Sequence, residues 1–371
     1  FRVPQVNFYR AIQGTKPETV ADAVALTFMG SRTDRWPEKR RSEMAKFFVG
    51  IQRKRTSEWK EEIISVDLLG TGATEQPAYA ISPDGTRVDL PAATDHRQVF
   101  TDWLIRPDNP WFTGNIVNRI WYWLFGIGIV HEPDDIRHDN PPTNRKLLVV
   151  LQRELIESDF DVKHIYRLIL NSATYQRSCI PTTDQPEAKL HFAHYPIRRL
   201  DAEVLIDAIC QITDTTESYS SLIPEPWTFI PGSERAICLA DGSITSPFLE
   251  LFGRPARSTG YESERGTAPS AAQKLHLLNS SHIQQKLEAS VTAAPVRETQ
   301  RRGRKRGRND AAGVSNKSVT DLYLRVLSRY PTEPELAAIS EYLSSAEAQG
   351  PEAMIDLTWA LINTPEFLYR H

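Results

Sequence analysis

The segment Pro110 to Phe125, PWFTGNIVNRIWYWLF, constrains this chain more than any other. Val117, Ile120, Trp121 and Leu124 recur at helical spacing, so residues from about Phe112 to Phe125 read as a helix, and Gly126 stands where a left-handed residue ends one. Trp121 is expected in the core, whereas Asn118 and Arg119 leave the apolar stripe by about one residue each. An aromatic stripe like this must be covered. It falls short of the roughly 20 apolar residues that a membrane-spanning helix requires, so other helices have to cover it.

The chain supplies several. Val20, Ala23, Val24 and Phe28 form one stripe; Met44, Phe47, Phe48 and Ile51 form a second, with Pro37 in its first turn. Asp95 or Thr94 caps a helix carrying Val99, Phe100, Trp103 and Leu104. Asn140 before Pro141 and Pro142 reads as the start of a helix with Leu147, Leu148, Leu151, Leu155 and Ile156, and Asp161 caps the next, faced by Ile165, Tyr166, Leu168 and Ile169. Leu200 to Ile212 repeats the pattern. Ser270 to Leu287 is expected to be one helix with Leu275, Leu278, Ile283 and Leu287 buried, and Val319 to His371 carries three more helical stripes.

Extended structure is confined to short pieces: residues 61–69, then Ala78 to Ile81 and Arg87 to Leu90 around the Pro83-Asp84-Gly85 turn. Tyr219 to Pro269 is rich in Pro, Gly and Ser, with Trp227 to Ile230 and Ala236 to Leu239 as its only strand candidates. The fold class is therefore mainly α (α+β): a helical domain with small β elements, a long loop-rich insertion and a C-terminal helical bundle. The expected organisation is 1–75 as the end of an upstream helical domain, 76–290 as the central domain with loop-rich 219–269, 291–317 as a basic linker, and 318–371 as the bundle. At 371 residues this exceeds one ordinary core.

Charge is concentrated in one place. Arg301, Arg302, Arg304, Lys305, Arg306 and Arg308 put six of the 44 basic residues into eight positions, and the rest of the chain is then near −9. Such a run can dock an anionic polymer, although no aromatic residue interleaves with it as a stacking platform for bases would need. Cys179, Cys210 and Cys238 include no C-x-x-C and no C-x-x-C-H, so neither a cysteine zinc site nor covalent haem is expected. No nucleophile elbow, phosphate-binding loop or dinucleotide fingerprint occurs. The first residues show no signal-peptide pattern.

Two loops hold the candidate sites. In HEPDDIRHDN, Asp134, Asp135, His138 and Asp139 can serve as metal ligands, with Ca²⁺ the cofactor their oxygens suit, but the spacing matches neither an EF-hand loop nor a zinc helix motif. The alternative is structural, with Asn140 capping the next helix and Arg119 pairing with Asp134 or Asp135 to orient the loop. In the second loop Arg254, Arg257, Glu262, Glu264 and Arg265 can bind an anionic sugar, form a salt-bridge network, or provide the paired carboxylates of a glycosidase. His191 with His194, and His276 with His282, are further candidates for a metal site built in space.

The wording of five segments carries a resemblance: DHRQVFTDWLIRPDNPWFTGNIVNRIWYWLFGIGIVHEPDDIRHDNPP, LLVVLQRELIESDFDVKHIYRLILNSATYQRS, RRLDAEVLIDAI, LFGRPARSTGYESERGTAPSAAQKLHLLNS and LINTPEFLYRH. Together they resemble a family of large secreted proteins typical of planctomycetes, in which two domains of unknown function (DUF1549 and DUF1553) are paired and often fused to a cytochrome c domain. The similarity covers about residues 90–371, and residues before it look like the end of the upstream partner. Relatives carry a C-x-x-C-H motif between segments like FMGSR and DRW; here Met29-Gly30-Ser31-Arg32 runs directly into Thr33-Asp34-Arg35-Trp36. The resemblance implies an extracytoplasmic address, a glycan-breakdown setting and no haem at this place. The expected function is an interaction or ligand-binding module with a polysaccharide or surface-protein partner. A glycan or glycan-ester hydrolase using loops 134–139 and 254–265 is the alternative.

Overall fold

The computed structural model describes residues 8–9, 12, 16–55, 62–67, 77–221, 229–239, 244–255, 265–290, 316–344 and 351–370. The fold is mainly α with small β elements. Two compact units divide the chain, one holding the described residues up to Pro196 and the other those from Ile197 onward.

The first unit opens with α1 (Pro17–Met29), begun by Pro17 and ended by Gly30 at φ 59°. A side chain at Gly30 would be strained by that angle and its Cβ would come 2.5 Å from Asn115 Oδ1. Helix α2 (Glu38–Ala45) follows, and Met44, Phe47 and Phe48 are buried as their spacing predicts. The stripe does not run on to Ile51 as helix: a 3₁₀ turn at Lys46–Phe48 leads into β1 (Ile51–Arg55), which pairs antiparallel with β2 (Glu62–Val66). Phe28, expected on the apolar face of α1, is exposed. The β3 (Tyr79–Ile81) and β4 (Arg87–Asp89) hairpin closes around Asp84, whose side chain accepts from the Thr86 amide.

Helix α3 (His96–Leu104) is capped by Asp95 and α4 (Pro110–Phe125) by Asn109. The aromatic stripe of α4 is covered by α5 (Arg145–Glu157) and α6 (Val162–Leu170), through Leu151, Leu155, Ile165 and Ile169, and by Phe192 and Tyr195. Trp121 is stacked on Phe125 with centroids 4.3 Å apart, and Phe192 meets it edge-on at 5.0 Å. Asn118 departs from expectation: it is fully buried because its amide bonds both the N–H and the C=O of Val130, each at 2.9 Å, just beyond the helix end. Asn140 departs as well. Helix α5 starts five residues later, capped by Asn144, because Asn140 is used inside the preceding loop.

The second unit is built on α7 (Ala202–Thr213), with Leu205, Ile206 and Ile209 in a core completed by Phe248 and Leu249 of α8 (Pro247–Leu251) and by Leu277 of α9 (Ala271–Asn279). The expected continuous helix from Ser270 to Leu287 breaks at Ser280, and a second helical run, α10, covers residues 281–290. The break rotates the stripe, so Leu275 and Leu278 are exposed while Gln273, Leu277, Ile283 and Leu287 are buried. Ala236–Cys238 is a 3₁₀ turn and not a strand. Helices α11 (Asn316–Leu327), α12 (Glu333–Ser344), α13 (Pro351–Ile362) and α14 (Pro365–Leu368) form the C-terminal bundle, and β6 (Tyr369–Arg370) pairs with β5 (Arg198–Arg199). Among the described residues no helix is long and apolar enough to cross a membrane.

The Asn118 clasp provides a stability test. Asn118→Ala strands a buried N–H and a buried C=O at Val130, so urea unfolding should show a loss of about 2–4 kcal/mol. A loss below about 0.5 kcal/mol would mean that the clasp is not what holds the helix end.

Candidate functional site

After Gly126 ends α4, Ile127, Ile129 and Val130 turn inward and draw the acidic loop under the helix. Asp134 is thereby fully buried, and Arg119 meets its Oδ1 at 2.7 Å with one guanidinium nitrogen. That nitrogen also donates to the Leu26 carbonyl at 3.1 Å, so one side chain joins α1, α4 and the loop. Asp135 lies 2.8 Å from Arg137 Nε, a misaligned charge contact, and accepts from Arg35 Nη1 at 3.3 Å. Asn140 donates to the carbonyls of Asp135 and His131 at 2.9 and 3.2 Å. His138 and Asp139 point away from this interior: both are exposed, and Asp139 meets Arg137 at 2.9 Å.

The FMGSR and DRW segments are part of the same assembly. Ile136 donates to the Gly30 carbonyl at 2.9 Å, Ser31 Oγ donates to the Ile136 carbonyl at 3.4 Å, and the 3₁₀ turn Thr33–Arg35 aims Arg35 at Asp135. Trp36 Nε1 donates to Ser31 Oγ at 3.2 Å. Residues 29–36 thus brace the acidic loop.

Arg40, which the sequence did not single out, sits over the Trp36 ring at 4.0 Å from its centroid, with Trp111 5.8 Å away. Its Nε is buried without a hydrogen-bond partner, and among the described residues no carboxylate forms an ion pair with it. Burial lowers its pKa from the ordinary guanidinium value, and the charge of Asp84 opposes that shift. Asp84 itself is engaged by Trp103 Nε1 at 3.0 Å and the Thr86 amide at 2.9 Å. A stacked guanidinium that forms no ion pair among the described residues is a half-made site for an anion.

In the second unit Arg254 and Arg265 converge on Glu203, an acid in the first turn of α7 that the sequence reading missed. Arg265 binds both Glu203 oxygens, at 2.7 and 3.0 Å, and Arg254 Nε lies 3.4 Å from Oε1. Arg254 also donates to the carbonyls of Ile244 and Leu239. Burial works against the charge on Glu203, but the Arg265 hydrogen bonds and the two guanidinium charges outweigh it and hold the carboxyl below its ordinary range. Asp207, one turn on in α7, takes the amides of Ala236 and Ile237 at 2.8 and 3.2 Å. Two acids on one helix thus pin the loop-rich insertion. The only sequence trace of this is their place between apolar residues of the RRLDAEVLIDAI motif, where a buried charge needs a partner.

Arg257, Glu262 and Glu264 lie outside the described residues, as do Arg301, Arg302, Arg304, Lys305, Arg306 and Arg308. Among the described residues no group of three or more His, Cys, Asp or Glu is placed to hold a metal ion, and the 134–139 loop does not bring Asp134 and Asp135 together with His138 and Asp139.

The family model described as PSD1, protein of unknown function (DUF1553), matches residues 96–343, which includes Arg119, the acidic loop, Glu203, Arg254 and Arg265 but not Arg40. No curated protein and no solved structure matches the chain.

Linkage sets the sign of a pH test on Glu203. Its depressed folded value makes its contribution complete above the ordinary carboxylate pKa and lost as pH falls through the folded value. Urea unfolding between pH 7 and pH 3 should therefore show a steeper loss in the wild type than in Glu203→Gln, and parallel curves would contradict the clamp. Removing one partner of the other buried pair, by Arg119→Met, should cost about 3–5 kcal/mol at pH 7.

Proposed function

The chain belongs to the PSD1 family, proteins of unknown function (DUF1553), and we propose that it is an extracytoplasmic ligand-binding module for anionic glycans, with Arg40 stacked on Trp36 as its contact point. What supports this reading is the contrast between Arg40 and the other arginines of the candidate loops. Arg119, Arg137, Arg254 and Arg265 are each spent on an internal carboxylate. Arg40 instead offers a planar fork on an aromatic face, the chemistry that suits a sulfate ester or uronate carboxylate next to the apolar face of a sugar. The planctomycete origin, an upstream DUF1549 partner, the cytochrome c association and the glycan-breakdown setting belong to the same reading and rest on the motif resemblance. So do a surface-protein partner and the anionic-polymer role of Arg301 to Arg308.

The hydrolase reading of loops 134–139 and 254–265 gains no support from the described residues. A glycosidase needs one carboxyl with a raised pKa as its general acid. Glu262 and Glu264, the paired carboxylates of that reading, lie outside the described residues, and Asp134 is locked on Arg119.

An array of sulfated, uronate-containing and neutral glycans tests the proposal. Sulfated or uronate ligands should be retained and neutral ones not. Arg40→Ala should weaken binding about tenfold or more, as loss of one charge-assisted contact implies, with Trp36→Leu having a smaller effect. Deleting Arg301 to Arg308 separates the two basic surfaces: binding that disappears with the deletion and persists in Arg40→Ala would move the site to the linker and overturn the assignment to Arg40.

A further inference from the structure

The second unit contains a linear chain of titratable groups that the loops above do not use. Glu217, in the segment after α7, has a nearly buried carboxylate. Its Oε2 lies 2.9 Å from His282 Nε2 of α10. His282 Nδ1 lies 3.3 Å from Nε2 of His276, in the last turn of α9. The same Oε2 meets Lys286 Nζ at 3.0 Å, and Lys286 also donates to the Thr216 carbonyl at 2.8 Å and to Cys210 Sγ at 3.4 Å. The rings of Phe248 and Phe252 pack against His276, and Phe248 also packs against His282.

The hydrogen positions in this chain follow from the acceptors. An ionised carboxylate only accepts, so His282 carries its proton on Nε2. In the neutral ring Nδ1 is then an acceptor, and His276 must donate to it from Nε2. This leaves Nδ1 of His276 as an unprotonated lone pair, and among the described residues it has no hydrogen-bond partner. Burial lowers the pKa of His276, while Glu217 works the other way, so the ring is the free base near neutral pH. Glu217 is held ionised: burial opposes its charge, and the His282 hydrogen bond and the Lys286 charge outweigh that cost. At the far end Cys210 is driven toward the thiol by burial, against the pull of Lys286, so it is not the nucleophile. Tyr219, the remaining titratable group near Glu217, is pushed upward by burial and stays protonated.

We propose that Nδ1 of His276 is the general base of a hydrolytic site for carboxylic esters, wired through His282 to Glu217. A carboxylate orients a general-base imidazole and stabilises the cation it becomes; here Glu217 acts on His276 through His282. In the step itself a water gives one proton to His276 Nδ1 while its oxygen bonds to the ester carbonyl carbon. The C–O bond to the alcohol then breaks, and the proton on His276 passes to the departing alkoxide. Ester and water become acid and alcohol, with nothing oxidised or reduced. This site is independent of the Arg40 surface, and either can fail alone.

The test is hydrolysis of 4-nitrophenyl acetate and butyrate by the full chain, compared with an equal concentration of free imidazole. The protein should exceed imidazole at least tenfold, with a rate that rises with pH through a midpoint below the ordinary histidine value. His276→Gln should abolish the excess. His282→Asn should lower it severalfold and move the midpoint while the melting temperature stays within a few degrees, which separates a wiring role from a packing role. Mapping carbethoxylation in the wild type guards against a variant that fails to fold: His276 should react faster than the median of the other histidines. Rates no better than imidazole, an unchanged rate in His276→Gln, or a His276 that reacts more slowly than the other histidines would each overturn the proposal.

Discussion

The first unit depends on one buried ion pair. Arg119 reaches from α4 to Asp134 with a nitrogen that simultaneously binds the end of α1, and the fully buried Asp134 has no water to fall back on. A pair in this position adds little beyond what a well-packed apolar pair would supply, but it penalises every arrangement in which one charge is left alone. It therefore fixes which loop lies under α4 and in what register. The Asn118 clasp does the same for the residues just before it, with neutral groups.

The second unit solves the same problem differently. Its loop-rich insertion enters the core through Phe248, Leu249 and Phe252, and α7 supplies two carboxylates that fix the polar residues on either side. Glu203 gathers two guanidiniums, and Asp207 takes two backbone amides. Both acids lie on a helix that gives Ala202, Leu205, Ile206, Ile209 and Ile212 to the core, so the loop is anchored to a core element.

Helices were legible in the sequence where apolar spacing and caps agreed, as at Asp95, Gly126 and Asp161. They were misread where a polar side chain had two local uses. Asn140 before two prolines has the pattern of an N-cap, but tertiary contacts recruit it for two carbonyls of its own loop, and Asn144 caps instead. Ser280 could not be recognised as a break, because Leu275, Leu278, Ile283 and Leu287 fit one helical period well enough to hide the change of axis. At the candidate sites the sequence identified the charged residues Arg119, Asp134, Asp135, Arg254 and Arg265, and for Arg119 it narrowed the partner to Asp134 or Asp135, of which the structure takes Asp134. It could not pair Arg254 and Arg265 with Glu203, because a contact across 51 or 62 positions leaves no local trace. Arg40 on Trp36 was invisible for a related reason, since a cation near an aromatic residue in sequence says nothing about whether a carboxylate will fold against it.

The bonds from Gly30 and Ser31 to Ile136, and from Arg35 to Asp135, have a further meaning. They run from residues ahead of the family match to residues inside it. The stretch by which relatives are recognised and the stretch that holds its own backbone satisfied are therefore different lengths of chain. A protein that keeps the matched region and exchanges what comes before it must find other donors and acceptors for the acidic loop, so divergence in the upstream segment is coupled to the geometry of the most distinctive motif in the matched one.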